Sequence, residues 1–331
     1  MSGKVAVLGA GAMGTACALV LADHPDEQVA LWTHNRQHAH SLRQRRENLR
    51  FLPGVALTPQ VRVADELEEA LAGADLVLLA IPTVYLREAL TKVRNRLTGA
   101  PPMASVAKGL ENRTFLRPTE IVRELTGQHR LAALSGPSHA EEVARHLPAT
   151  VVAASADLAL AEEVQRRFST ERFRVYTNTD ILGVELAGAL KNIIALAAGV
   201  CDGLHLGDNA KAALLTRGLV EIIRFGTHFG AQRETFYGLA GIGDLVTTCN
   251  SPHSRNRSVG EALGKGRQLE EILESMEGVP EGVWTARSVH ARAKQLGIEM
   301  PITDEVYAVM FEGRPAADAV RNLMLREPKA E

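Results

Sequence analysis

The chain has 331 residues and only three cysteines, Cys17, Cys201 and Cys249, far apart from one another. No CxxC pair and no even set of cysteines is present, which excludes a zinc ribbon, a dithiol redox motif and a disulfide scaffold. A reducing cytoplasm fits this usage. Excess charge is also missing: 39 acidic side chains face 37 basic ones, a net charge of −2. That balance excludes a chain-wide basic surface for nucleic acid or an anionic membrane, so any anion site must be local. No long apolar run occurs; the greasiest stretch, residues 193–200, is too short to span a bilayer. The first residues, Met1-Ser2-Gly3-Lys4, lack a signal-peptide pattern. The expectation is a cytoplasmic protein with no membrane insertion, no nucleic-acid partner and no metal. What is there is globular: hydrophobic residues make up 46% and charged residues 23%, in a length suited to about two domains.

The first half alternates between two periods. Val5-Ala6-Val7-Leu8 is a continuous apolar run, as in a strand buried on both faces. Residues 12–22 then read as a helix and residues 28–32 as a second strand. Residues 35–49 form a basic helix-like segment, and residues 65–71 a short helix. A strand follows over 76–81, a helix over 84–97, a strand over 103–107 and a helix over 117–125. Further strands are expected at 131–134, 150–153 and 173–176. Such alternation predicts βαβ units and a mostly parallel sheet. Beyond residue 180 only helices are expected, over 181–201, 209–230, 258–263, 269–275, 282–296, 304–311 and 316–325, with a frayed tail at 327–331. The fold class is therefore α/β: a Rossmann-like dinucleotide-binding domain (1–178) and an all-α domain (179–331), with the seam as the usual place for a small-molecule site.

Gly9-Ala10-Gly11-Ala12-Met13-Gly14 matches GxGxxG between a strand and a helix. In that context the glycines allow a tight turn, close approach to a pyrophosphate and close helix–strand packing, with the helix N-terminus facing the phosphates. The bland reading is an ordinary glycine-rich turn. No GK[ST] ending follows, which disfavours a nucleoside-triphosphate loop. An NAD-selective fold usually carries Asp or Glu at the end of the second strand. Here Trp32-Thr33-His34-Asn35-Arg36 stands instead. His34 and Arg36 can pair with a 2′-phosphate, and Arg43, Arg45 and Arg46 add positive field, so NADPH is expected to serve at least as well as NADH. The bland alternative is a solvated basic helix, which accounts for such later arginines more often than not.

The segment 181–201 carries only Glu185 and Lys191 inside its apolar run. Small neighbours, Ala187, Gly188 and Ala195, leave room around the Lys191 ammonium, with Asn192 beside it. Desolvation moves a lysine toward proton-transfer chemistry; snorkelling to solvent is the other outcome, and spacing does not separate the two. Gly241-Ile242-Gly243-Asp244 puts a carboxylate in a glycine-permitted loop, with Thr247 and Thr248 beyond. Ser254-Arg255-Asn256-Arg257 opens a helix, as an anion site or as simple capping.

Together these segments resemble bacterial NAD(P)-dependent glycerol-3-phosphate dehydrogenase over nearly the whole chain. The resemblance is carried by residues 9–15 (GAGAMGT), Ala107-Lys108-Gly109-Leu110-Glu111, Ser135-Gly136-Pro137-Ser138 and residues 188–195 (GALKNIIA). Residues 209–219, 241–245, 254–257 and Met300-Pro301-Ile302-Thr303 continue it. It implies Lys191 as catalytic acid/base, with Asp244, Thr248 and Asn192 in its network. It implies Ser254, Arg255 and Asn256 on the substrate phosphate, and Lys108, Gly136 and Ser138 on the substrate and nicotinamide side. For the cofactor, NADP(H) or NAD(H), it implies Gly9, Gly11, Ala12, Met13, Gly14, His34, Lys108, Ala140, Arg255, Val279 and Glu281. Departures are Ala12-Met13, where similar proteins have Ser and an aromatic residue, Ser138-His139 for a commoner Thr-Phe pair, and Pro280 between Val279 and Glu281.

The implied reaction is the reversible reduction of dihydroxyacetone phosphate to sn-glycerol 3-phosphate, feeding glycerophospholipid synthesis, in a homodimer without metal. Two alternatives are a two-domain hydroxy-acid dehydrogenase, which needs a carboxylate anchor and no phosphate pocket, and a non-catalytic NADPH sensor, toward which Ala12-Met13 is the hint.

Overall fold

The structure is a computed structural model that describes residues 3–276 and 278–328. Met1, Ser2 and Glu277 lie outside the described residues, as do residues 329–331 of the tail expected to fray. The chain divides into two compact units. One takes the residues up to Lys108 together with Leu116–Glu185, and the other Gly109–Phe115 together with the residues from Leu186 on.

In the first unit, β1 (Gly3–Leu8), α1 (Ala12–Ala22) and β2 (Glu27–Trp32) form the opening βαβ turn. After α2 (Arg36–Arg45) come β3 (Glu47–Asn48), β4 (Leu52–Ala56), β5 (Val61–Ala64) and α3 (Leu67–Leu71). The sequence follows with β6 (Leu76–Leu79), α4 (Thr83–Val93), β7 (Met103–Ser105), α5 (Pro118–Thr126), β8 (Leu131–Ser135) and α6 (Ala140–Val143). It ends with β9 (Ala149–Ala154), α7 (Leu158–Phe168) and β10 (Phe173–Asn178). Eight strands make one sheet in the order β10-β9-β8-β7-β6-β1-β2-β5. Every pairing in it is parallel except β8 with β9. The apolar runs do what a two-sided strand requires: Val5, Val7, Leu76 and Leu78 enter one core cluster, and Ala6, Leu8, Val77 and Leu79 the other.

The basic segment expected to be helical over 35–49 is shorter. Asn35 caps it by accepting the His38 N–H at 2.9 Å, and Arg46 ends it with φ at +52°. A left-handed residue stops helical hydrogen bonding, and residues 47–48 leave as a strand instead. In this unit helices α6 and α7 and strands β3, β4 and β5 are additional to the expected elements.

The second unit continues α8 (Ile181–Gly203) into α9 (Gly207–His228), a short 3₁₀ turn at Arg233–Tyr237 and a π turn at Leu239–Gly243. It then runs through α10 (Asp244–Asn250), α11 (Arg255–Gly264), α12 (Leu269–Glu274), α13 (Glu281–Leu296), α14 (Pro301–Phe311) and α15 (Ala316–Met324). No strand follows β10 among the described residues. The apolar run 193–200 sits inside α8, whose 23 residues are long and apolar enough to cross a membrane by length and composition. That helix is a core element here, with 89% of its most apolar window buried in the protein. Glu185 is held within the first unit: buried, it accepts the Thr119 N–H at 2.9 Å, the Thr119 hydroxyl at 2.6 Å and Arg117 at 2.5 Å. It thereby closes the N-terminus of α5.

Helices α8 and α11 touch backbone to backbone. A Cβ at Gly199 would lie 2.0 Å from the Arg257 carbonyl oxygen, and one at Gly260 1.9 Å from that of Leu196. Gly203 and Gly264, one turn further along each helix, repeat the contact. This crossing brings the polar residues upstream of each glycine pair, Asn192 and Asn256, within reach of each other.

Candidate active site

The glycine loop is built by exclusion. Gly9, with φ at +115°, donates its N–H to the Trp32 carbonyl at 2.9 Å; a Cβ there would sit 2.5 Å from the Ala80 carbonyl oxygen. At Gly14 a Cβ would sit 1.8 Å from the Gly9 carbonyl oxygen. Gly11 differs: a Cβ there would meet nothing within 4 Å. Two glycines therefore fix the turn, and the third leaves open room at the N-terminus of α1. No side chain caps that end and no acidic residue lies in its first turn. Its free N–H groups and positive dipole fit a dinucleotide pyrophosphate. Ala12 is buried and Met13 packs, half-buried, against the sheet's core.

Two residues not singled out from the sequence brace this loop. Asn48, fully buried, donates to the Ala10 carbonyl at 3.0 Å and to the Thr15 hydroxyl at 2.7 Å, and accepts the Phe51 N–H at 3.2 Å. His38 Nε2 lies 3.1 Å from the same Ala10 oxygen. His34 is exposed just past β2. Arg46 turns inward to the carbonyls of Leu57 and Thr58.

Lys108, Gly136 and Ser138 come together in the first unit. Lys108 Nζ donates to the Gly136 carbonyl at 2.9 Å, and the Ser138 hydroxyl donates to the same oxygen at 2.8 Å. Gly136 has φ at +136°, and a Cβ there would sit 2.9 Å from the Val151 Cα. Ala140, the first residue of α6, is buried nearby in sequence.

In the second unit Lys191 does not snorkel; it is 5% exposed. Its ammonium donates to Asp244 Oδ1 at 2.8 Å and to the Thr248 hydroxyl at 2.5 Å. That hydroxyl donates to the same Asp244 oxygen at 3.2 Å. Asp244 is not in a loop: it is the first residue of α10, directly after the π turn. The glycines read as breakers build that turn; a Cβ at Gly241 would lie 2.0 Å from the Phe236 carbonyl oxygen. One helical turn then separates Asp244 from Thr248, so both reach one ammonium. Cys249, next along, is buried, and burial pushes its thiol up to about 12, so it is no nucleophile at neutral pH.

Asn192 joins a second chain of bonds. Asn256 donates to Asn192 Oδ1 at 3.0 Å and accepts the Gly282 N–H at 2.9 Å. Ser254 caps α11, accepting the Arg257 N–H at 3.3 Å, as the capping alternative had it. The two arginines have different fates. Arg257 pairs with Asp202 at 2.6 Å, whereas Arg255 is exposed, its guanidinium lying over Gly278. A Cβ at Gly278 would be 2.9 Å from Arg255 Cζ, so Arg255 borders the segment holding Val279 and Glu281, which is half-buried at the start of α13. Among the described residues no group of three or more His, Cys, Asp or Glu side chains is placed to hold a metal ion.

The family described as the NAD-dependent glycerol-3-phosphate dehydrogenase N-terminus matches residues 4–161, and its C-terminus counterpart matches residues 180–321. The chain belongs to the NAD-dependent glycerol-3-phosphate dehydrogenase family. It is 48% identical over 331 residues to the glycerol-3-phosphate dehydrogenase [NAD(P)+] of Chlorobium phaeobacteroides strain BS1, covering 99% of each chain. The enzyme of that name from Listeria monocytogenes serotype 4b (strain CLIP80459) is also 48% identical, over 99% of this chain and 98% of the relative. Among solved structures, glycerol-3-phosphate dehydrogenase from Coxiella burnetii superposes with a TM-score of 0.93 at 39% identity, over 98% of this chain and 99% of that one. The glycerol-3-phosphate dehydrogenase fold thus extends over 98% of the chain, and an α/β domain followed by a helical one is the expected architecture.

Proposed function

We propose that this glycerol-3-phosphate dehydrogenase interconverts dihydroxyacetone phosphate and sn-glycerol 3-phosphate using NAD(P)(H), with Lys191 moving the proton. Residues 1–178 take the nucleotide-binding role and 179–331 the catalytic one. The observation that carries the reading is the buried ammonium of Lys191, held by Asp244 and Thr248. When bound, the nicotinamide supplies or accepts the hydride. The loop Gly9, Gly11, Ala12, Met13 and Gly14 receives its pyrophosphate, with His34, Lys108, Ala140, Arg255, Val279 and Glu281 as further cofactor contacts.

In the reducing direction the Lys191 ammonium polarises the ketone oxygen and gives it a proton as alkoxide character develops. Asp244 balances the ammonium's charge and fixes its direction, while Thr248 keeps the ammonium and carboxylate in one geometry. Once the proton has left, the neutral amine stands beside a carboxylate, which favours its reprotonation for the next turnover. In the oxidising direction the neutral amine accepts the proton from the C2 hydroxyl. Arg255, Ser254 and Asn256 hold the phosphate, with Lys108, Gly136 and Ser138 on the rest of the substrate. Binding energy gathered at the far phosphate orients the reacting carbon. The product is the backbone of glycerophospholipids, so the reading places the enzyme at the entry to their synthesis, as a cytoplasmic homodimer.

The test is loss of nicotinamide absorbance with dihydroxyacetone phosphate and NADPH or NADH in turn. Turnover on the ketone phosphate, absent with simple 2-keto acids, is expected. Keto-acid reduction in its place overturns the substrate assignment, and cofactor binding without any turnover overturns the enzyme reading. Light scattering at twice the chain mass checks the dimer.

A further inference from the structure

In dinucleotide-binding sheets the ribose hydroxyls meet the end of the second strand. Here β2 ends at Trp32, and Thr33, His34 and Asn35 follow without a carboxylate. The parallel pairing of β2 with β5 sets Ala64 beside Trp32, so the residues after both strands emerge at one edge of the sheet. Those after β5 are Asp65 and Glu66. Glu66 Oε1 lies 2.5 Å from Arg36 Nη2, and Asp65 binds the Arg43 guanidinium. Both arginines belong to α2, which is tied to the glycine loop through His38 and the Ala10 carbonyl. All four side chains reach solvent, Arg36 most of all. The acidic charge missing from β2 is therefore delivered by its neighbour, and it falls on the guanidinium groups of Arg36 and Arg43.

We propose that Asp65 and Glu66 set the cofactor choice of this enzyme. By holding Arg43 and Arg36 in ion pairs, they weaken the attraction for a ribose 2′-phosphate and keep the site open to both NADH and NADPH. The proposal rests on the dinucleotide-binding reading of the glycine loop. A 2′-phosphate dianion must compete with a carboxylate already on Arg36. An exposed ion pair is weak, so the competitor yields and the phosphorylated cofactor is admitted. For the unphosphorylated cofactor the paired arginines present no uncompensated positive charge. Removing the carboxylates frees two bidentate donors for phosphate and biases the site toward NADPH. Glu66 and Asp65 act through the arginines and are positioning residues, not contacts of the reacting atoms.

Calorimetric titration of the full chain with 2′,5′-ADP and with 5′-ADP tests this without the nicotinamide or turnover. Glu66→Gln should tighten 2′,5′-ADP by roughly threefold or more, and Asp65→Asn with Glu66→Gln by about tenfold, leaving 5′-ADP within about twofold. The gain should shrink as salt rises from about 0.05 to 0.5 M. Arg36→Gln should weaken 2′,5′-ADP and cancel the effect of Glu66→Gln. An unchanged ratio of the two affinities in the double variant overturns the proposal, and so does a parallel shift of both fragments, which is what a purely structural role produces. Binding of neither fragment to the unaltered chain overturns the nucleotide-site reading itself.

Discussion

Lys191 Nζ stands 2.8 Å from Asp244 Oδ1 although 53 positions separate the two residues. Their side chains are 6% and 3% exposed, so neither charge can turn to water when the other is removed. Breaking such a pair from one side costs about 3–5 kcal/mol, because it strands a buried charge. Lys191→Ala should therefore lower both stability and turnover, the latter by about 10²-fold or more. Lys191→Met combined with Asp244→Asn removes both charges and should recover much of the stability without recovering activity. Denaturant titration and turnover on dihydroxyacetone phosphate separate the two effects. Activity of the refolded double variant near the starting level would refute the acid/base assignment.

Arg255 leaves its partner arginine behind. Arg257 is committed to Asp202, while Arg255 lies exposed over Gly278. Arg255→Ala should raise the KM for dihydroxyacetone phosphate by about 10-fold or more, the scale of a lost charge-assisted contact, with a smaller fall in kcat. Arg255→Lys keeps the charge but not the fork and should recover only part of the loss. A kcat collapse at unchanged KM would move Arg255 out of the phosphate site.

The three loop glycines separate steric support from ligand access. Gly14→Ala puts a methyl 1.8 Å from the Gly9 carbonyl oxygen and should disturb the fold itself. Gly11→Ala meets no atom within 4 Å at a φ of −76° and should leave the melting temperature nearly unchanged. It should nevertheless weaken both dinucleotides by about 10-fold or more, because its methyl occupies the approach to the phosphates. Calorimetry beside thermal unfolding checks both. Wild-type affinity in Gly11→Ala would show that the pyrophosphate does not approach there.

Much of this was legible in the sequence, for stated physical reasons. Central strands buried on both faces are written as unbroken apolar runs, so Val5-Ala6-Val7-Leu8 and Leu76-Val77-Leu78-Leu79 were readable without partners. Strand β4 was not: Pro53 and Gly54 sit inside it, and among the described residues it pairs only with two-residue β3. Helix α2 looked longer than it is because nothing in Arg45-Arg46-Glu47 marks a left-handed residue. Asn48 was hidden inside that overlong helix, so its brace on the glycine loop went unseen. Around the catalytic candidate, residue types were readable and burial was not. Lys191 either snorkels or pairs, and only the glycine-built π turn that starts α10 beside it decides for pairing.

Glu221 offers the clearest pH dependence. On α9, 2% exposed, it accepts the Ile302 N–H at 2.5 Å, and the Thr303 N–H and hydroxyl each at 3.2 Å, closing the start of α14. Burial disfavours its carboxylate more than those donors favour it, and the group is pushed up to about 7. An acid whose folded value lies above its unfolded one binds its proton more readily when folded. Its contribution is complete below about pH 4, the unfolded value, and is lost as pH rises through about 7. Glu221→Gln cannot titrate, although its amide nitrogen replaces an acceptor and costs some stability at every pH. The stability of the parent minus that of Glu221→Gln should fall by about 1 kcal/mol per pH unit between about pH 5 and 7, and level off above. Denaturant unfolding of both proteins across that range measures it. A difference that stays flat or rises with pH would mean that Glu221 is already ionised in the folded protein below pH 5.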